Sequence, residues 1–158
     1  MADSSGSIPW GFVTILAIAA LLYAIMAITV LSSRGSDAAG GGLAVAFGII
    51  EAVLMWIALL VLLLMTHKHG PIPGWSKAFL FVLVPLAAIC ACVAIGMFSE
   101  RGGWLLLVPL LAPLVMMLFV SWARFPSMHG LVAVWLANVL VIATLALAAA
   151  APFVAVAL

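Results

Sequence analysis

An all-α integral membrane protein, a bundle of five transmembrane helices, is the fold this sequence predicts. Of its 158 residues, 70% are hydrophobic and 6% charged, where soluble domains carry about a quarter charged. Mean hydropathy is +1.51. Apolar runs of about 20 residues, each the length of one bilayer crossing, recur along the chain. None of them alternates apolar with polar residues as the strands of a membrane barrel do. Lipid offers backbone N–H and C=O groups no partner, so runs of this length must close their hydrogen bonds internally, as helices.

The first span is expected over Trp10–Leu31, entered through Ile8-Pro9. Proline suits a helix start, where its missing N–H would have no intrahelical partner. The stretch before it, MADSSGSIPW, lacks the basic region of a secretory signal, so this span is read as retained. A polar link, SSRGSDAAGGG over Ser32–Gly42, leads to the second span, Leu43–Met65. There follows THKHGPIPGWSK, Thr66–Lys77, whose Gly70-Pro71-Ile72-Pro73-Gly74 core reads as a stiff non-helical turn.

The third span is expected over Ala78–Phe98 and the fourth over Trp104–Trp122. The short link between them, Ser99–Gly103, predicts an antiparallel hairpin. Pro85, Pro109 and Pro113 should kink that hairpin by removing backbone donors. ARFPSMHG, Ala123–Gly130, then leads to the fifth span, Leu131–Ala151. The apolar tail either continues that helix past Pro152 or lies in the interface. All 158 residues form one membrane domain.

An odd number of spans puts the two ends of the chain on opposite faces of the bilayer. Lys68, Lys77 and Arg124 then share the N-terminal side with His67, His69 and His129, against Arg34 and Arg101 on the other. That bias predicts a cytoplasmic N-terminus and an external C-terminus. Short loops and an alanine bias suggest a bacterial inner membrane. Trp10, Trp75 and Trp122 fall at the N-terminal-side boundary and Trp104 at the opposite one, the aromatic belt expected at headgroup depth. Trp135 lies slightly inside, while Trp56 is mid-span, where its indole N–H needs a partner.

Helices in lipid associate by close packing of small residues. Gly40, Ala44, Gly48 and Ala52 form such a groove at four-residue spacing on span two, which is expected to pack centrally. Ala17, Ala20, Ala24 and Ala27 offer a matching face on span one, and Ala88, Cys92 and Gly96 another on span three. Cys90 and Cys92, two residues apart, point about 200° from each other on a helix and cannot pair.

Glu51 is the only charged side chain deep inside an apolar run. With no cation at its depth, a carboxyl there is expected to be neutral and to donate to Tyr23, Thr144, Asn138 or a backbone carbonyl. It could serve as interhelical glue or as a proton or cation site. His67, His69 and His129 are weak metal candidates, better read as solvated loop residues; no cofactor is expected. No HExxH, GxSxG, Walker loop or carboxylate pair is present, so an enzyme is not expected. No basic cluster suggests nucleic acid.

Length, five spans and abundant tryptophan resemble the tryptophan-rich sensory/translocator family. That family's Trp- and Pro-rich loop would fall in SSRGSDAAGGG, which holds neither residue, so nothing is carried over. The expected role is a non-enzymatic accessory or assembly subunit, partnered in the bilayer by other membrane subunits or by itself. The alternatives are a small oligomeric transporter or channel using Glu51, and a binder of a lipid, quinone or porphyrin.

Overall fold

The computed structural model describes residues 9–32, 38–67, 71–98 and 107–157. Five helices follow one another: α1 (Trp10–Ser32), α2 (Ala38–Thr66), α3 (Gly74–Phe98), α4 (Leu107–Arg124) and α5 (Val134–Ala157), with a single 3-10 turn, Pro126–Met128, before the last. Each is long and apolar enough to cross a membrane, and no strand occurs among the described residues. The chain is an all-α, multi-pass membrane protein.

The helix starts differ from the sequence reading, most at α2, which begins at Ala38, five residues before the expected Leu43. α3 starts four residues earlier than expected, at Gly74. The Lys77 N–H donates to the Pro73 carbonyl at 3.1 Å, so Pro73 is the entry to the helix and Trp75, Ser76 and Lys77 form its first turn. α5 starts later than expected, at Val134. The 3-10 turn is extended by a bond from the Leu131 N–H to the Met128 carbonyl, 3.1 Å, which holds this stretch out of the helix. α5 then runs on through Pro152 rather than ending there. The expected start of span four, residues 104–106, lies outside the described residues.

Pro109 does not interrupt its helix as expected. It sits in the first turn of α4, where its N–H would have had no intrahelical partner. Pro85, Pro113 and Pro152 are interior; each leaves the carbonyl four residues back without its helical donor.

Contacts between helix ends fix an alternating up-and-down course. At one end, the rings of Phe12 on α1 and Phe125 after α4 meet at 5.8 Å, and His67 after α2 meets Phe81 of α3 at 6.2 Å. Ser76 on the first turn of α3 bonds Asn138 near the start of α5 at the same end. At the other end, a Cβ placed on Gly48 of α2 would lie 3.0 Å from Val30 Cγ2 of α1, and one on Gly96 of α3 would lie 3.8 Å from Ile49 Cδ1 of α2. Consecutive helices therefore run in opposite directions.

α2, α3, α5 and α4 form a ring of neighbours, with α1 laid along α2 and touching α4 at its edge. α2 reaches α1, α3 and α4. The most enclosed helix, however, is α4. It buries Ala112, Pro113, Met116, Phe119 and Val120, a mix of small and pliable side chains that lets neighbours close in from several sides. The expected α3–α4 hairpin is a loose pair, because α3 packs mainly on α5 and α2. α1 buries a single stripe, Phe12, Ala19, Met26 and Val30, at intervals of whole turns. Its Ala17, Ala20 and Ala24 face outward instead of toward α2.

Candidate functional site

Glu51 sits one turn beyond Gly48 on the side of α2 that meets α1. Gly48 abuts Val30. In an antiparallel pair, three residues forward on α2 correspond to three back on α1, which brings Glu51 level with Ala27. The residue is half-buried. Its Oε2 is fully enclosed and has no hydrogen-bond partner. A buried acceptor or donor left unpaired costs about 1–3 kcal/mol, more if charged.

Of the partners expected for Glu51, Asn138 and Thr144 are engaged elsewhere. Asn138 lies one turn from the start of α5, while Glu51 is fifteen residues from the end of α2 at that same face. At 1.5 Å per residue the two differ in depth by about 16 Å. Asn138 is instead tied into the α3–α5 interface: Ser76 Oγ donates to Asn138 Oδ1 at 2.5 Å, and Asn138 Nδ2 donates to the Val134 carbonyl at 2.7 Å. Both residues are fully buried. Thr144 Oγ1 donates to the Leu140 carbonyl at 2.8 Å within its own helix. Tyr23 is half-buried on α1 and makes no bond to the enclosed Glu51 oxygen.

Ser76 is a core residue that the sequence reading places in the Thr66–Lys77 link and the structure places in the first turn of α3. Its signal was present: Ser76, Leu80, Val84, Ala87, Ala91 and Ala94 fall at helical spacing and form the buried stripe of α3. The third buried polar side chain, Thr66, is also satisfied, its Oγ1 donating to the Leu62 and Leu63 carbonyls at 3.0 Å each.

The two described histidines make separate contacts. His67 Nδ1 lies 2.6 Å from the Leu64 carbonyl, a distance that makes it the protonated nitrogen. His129 stacks at 5.4 Å on Trp122, and its Nε2 is buried without a partner. His69 lies outside the described residues. Among the described residues no cluster of three His, Cys, Asp or Glu side chains could hold a metal ion.

Trp122 does not join the aromatic belt. It is 6% exposed, with Phe119 at 5.8 Å on one side and His129 on the other, and its Nε1 has no partner. Trp10 and Trp75 are exposed at that boundary as expected, and Trp135, expected slightly inside it, is exposed as well; Trp104 lies outside the described residues.

Two apolar clefts open between helices. One, of about 430 Å³, lies between α2 and α3 and is walled by Trp56, Leu60, Pro85 and Cys92 among others. Trp56 is 3% exposed and its Nε1 also lacks a partner. The other, of about 280 Å³, lies between α4 and α5 beside Trp122. Comparison with known protein families, curated proteins and solved structures finds no match for this chain.

Proposed function

We propose that this chain is a non-enzymatic subunit of a membrane assembly, meeting another membrane protein or a second copy of itself at the α1–α2 edge. The observation that carries this reading is the enclosed, unpartnered Oε2 of Glu51 beside the thinnest part of the bundle. An intramembrane carboxyl marks a place where a partner group is needed, and because Glu51 is only half-buried, its carboxyl can turn outward to a hydrogen bond from a neighbouring helix.

The same core weighs against transport. A proton or cation path needs a succession of polar groups across the bilayer. Here the buried polar side chains among the described residues are Thr66, Ser76 and Asn138, each already hydrogen-bonded. Glu51 is the only acidic side chain within a described helix. The positive-inside bias of Lys68, Lys77 and Arg124 supports a cytoplasmic N-terminus, and the short loops and alanine bias support a bacterial inner-membrane setting.

Purification from native membranes in a gentle detergent, with Glu51→Gln and Glu51→Leu alongside, tests the reading. Glu51→Leu should reduce recovery of the assembly at least fivefold, while Glu51→Gln, which keeps hydrogen-bonding capacity, retains most of it. Vesicles containing the purified protein should hold a proton gradient as long as protein-free vesicles. A flux that Glu51→Gln abolishes would overturn the proposal in favour of a transporter.

A further inference from the structure

Glu51 borders the lipid-facing side of α2. Phe47 and Leu54, one turn away in either direction on the same helix face, are 54% and 49% exposed, and Glu51 itself is half-buried. Of its two carboxyl oxygens, Oε2 is enclosed without a partner and Oε1 is not, so the group already presents one oxygen at the surface. Turning the other outward breaks no hydrogen bond. The basic side chains among the described residues, Lys77 and Arg124, lie in the end turns of α3 and α4 at the face where α2 ends. Counted at 1.5 Å per residue, that is roughly 18 Å or more from the depth of Glu51. A carboxyl in lipid with no cation in reach is held uncharged by the cost of desolvating the ion. An uncharged carboxyl donates through its O–H and accepts through its carbonyl oxygen.

We propose that Glu51 pairs with the Glu51 of a second copy of this chain, across a two-fold axis parallel to the bilayer normal. The pairing rests on the subunit reading above and names the partner for it. Each O–H donates to the carbonyl oxygen of the other, so two identical groups satisfy one another and no complementary side chain is required. A two-fold interface is self-complementary, and residues at its axis meet themselves. Two copies inserted in the same direction hold Glu51 at the same depth, so the carboxyls arrive in register. Phe47 and Leu54 pack around the pair and keep it dry.

Sedimentation of the full chain in density-matched micelles, with Glu51→Leu and Glu51→Gln alongside, reads the association. The unmodified chain should show a reversible monomer–dimer equilibrium. Two interhelical hydrogen bonds of average strength in membranes amount to about tenfold in dissociation constant, which is the weakening expected of Glu51→Leu. Glu51→Gln, whose amide also donates and accepts, should stay within about threefold. In liposomes, with Cys90 and Cys92 replaced by alanine, a short bis-maleimide should link the copies through Phe47→Cys or Leu54→Cys. It should not link them through Val82→Cys, 68% exposed on α3. A chain that stays monomeric, a dimer that Glu51→Leu leaves at full strength, or linkage through Val82→Cys equal to that through Phe47→Cys overturns the proposal. If Glu51→Leu still lowers recovery of the native assembly in any of those cases, the subunit reading stands and a different protein supplies the partner group. If recovery is also unchanged, both fall.

Discussion

Single side chains set the specificity of a core that is otherwise interchangeable grease. The Ser76–Asn138 pair locks α3 to α5 at one register, because sliding either helix by a residue would strand two polar groups in an apolar interface. Interhelical hydrogen bonds in membranes contribute about 0.6 kcal/mol on average and up to about 1.7 kcal/mol. Asn138→Leu and Ser76→Ala should each lower stability in mixed micelles, and the double variant should lose less than their sum. The coupling in a double-mutant cycle, read from denaturation midpoints, is expected near 1 kcal/mol; strict additivity would show that the bond is passive. Glu51 was legible as the position to watch because a charged side chain stands out in so apolar a chain. Its surroundings were not legible. Depth along a helix can be counted from sequence, but which neighbour stands opposite depends on how five helices are arranged. Trp122 shows the same limit: position at a span end suggested the interface belt, and tertiary packing enclosed it instead.

At the scale of elements, the α1–α2 pair depends on backbone approach. Gly48 is a point of tight contact between the two helices, with Val30 Cγ2 at 3.0 Å from the position of an added Cβ. Gly48→Ala asks Val30 to give by a few tenths of an ångström, whereas Gly48→Leu pushes α1 away. Overpacking of this kind costs about 1–3 kcal/mol. A lowered unfolding midpoint for Gly48→Leu is expected, with Gly42→Leu as the control, since nothing lies within 4 Å of a Cβ there. Equal behaviour of the two variants would mean that α1 is not held by close packing. The helices themselves were plain from hydropathy and length, because in lipid no other structure satisfies the backbone. Their ends were less so: Pro73 reads equally as the close of a turn or the entry to a helix, and the Lys77 bond to its carbonyl decides for the latter. Partner choice among helices was the least legible. A short link between α3 and α4 suggested a tight hairpin, but a link constrains only the helix ends, and the faces of α3 match α5 better.

The whole molecule is defined by alternation across the bilayer, and this can be read directly by labelling. The end contacts place Phe12, His67, Ser76, Trp122 and His129 on one side, and Val30 and Gly96 toward the other. Ser32 and Ser127 are exposed at opposite ends of this arrangement. Replacing Cys90 and Cys92 with alanine gives a background for the single variants Ser32→Cys and Ser127→Cys. In sealed right-side-out vesicles an impermeant maleimide should label Ser32→Cys and spare Ser127→Cys. In inverted vesicles the pattern should reverse, because the loop carrying Ser127 lies on the side of Lys77 and Arg124, where the positive-inside tendency favours the cytoplasm. Labelling of both positions from one face would break the five-span course itself. A clean but opposite pattern would keep the fold and reverse only its orientation, which rests on three basic residues against two. The fold is fixed by some twenty apolar residues per crossing, while the direction of insertion hangs on a difference of one charge.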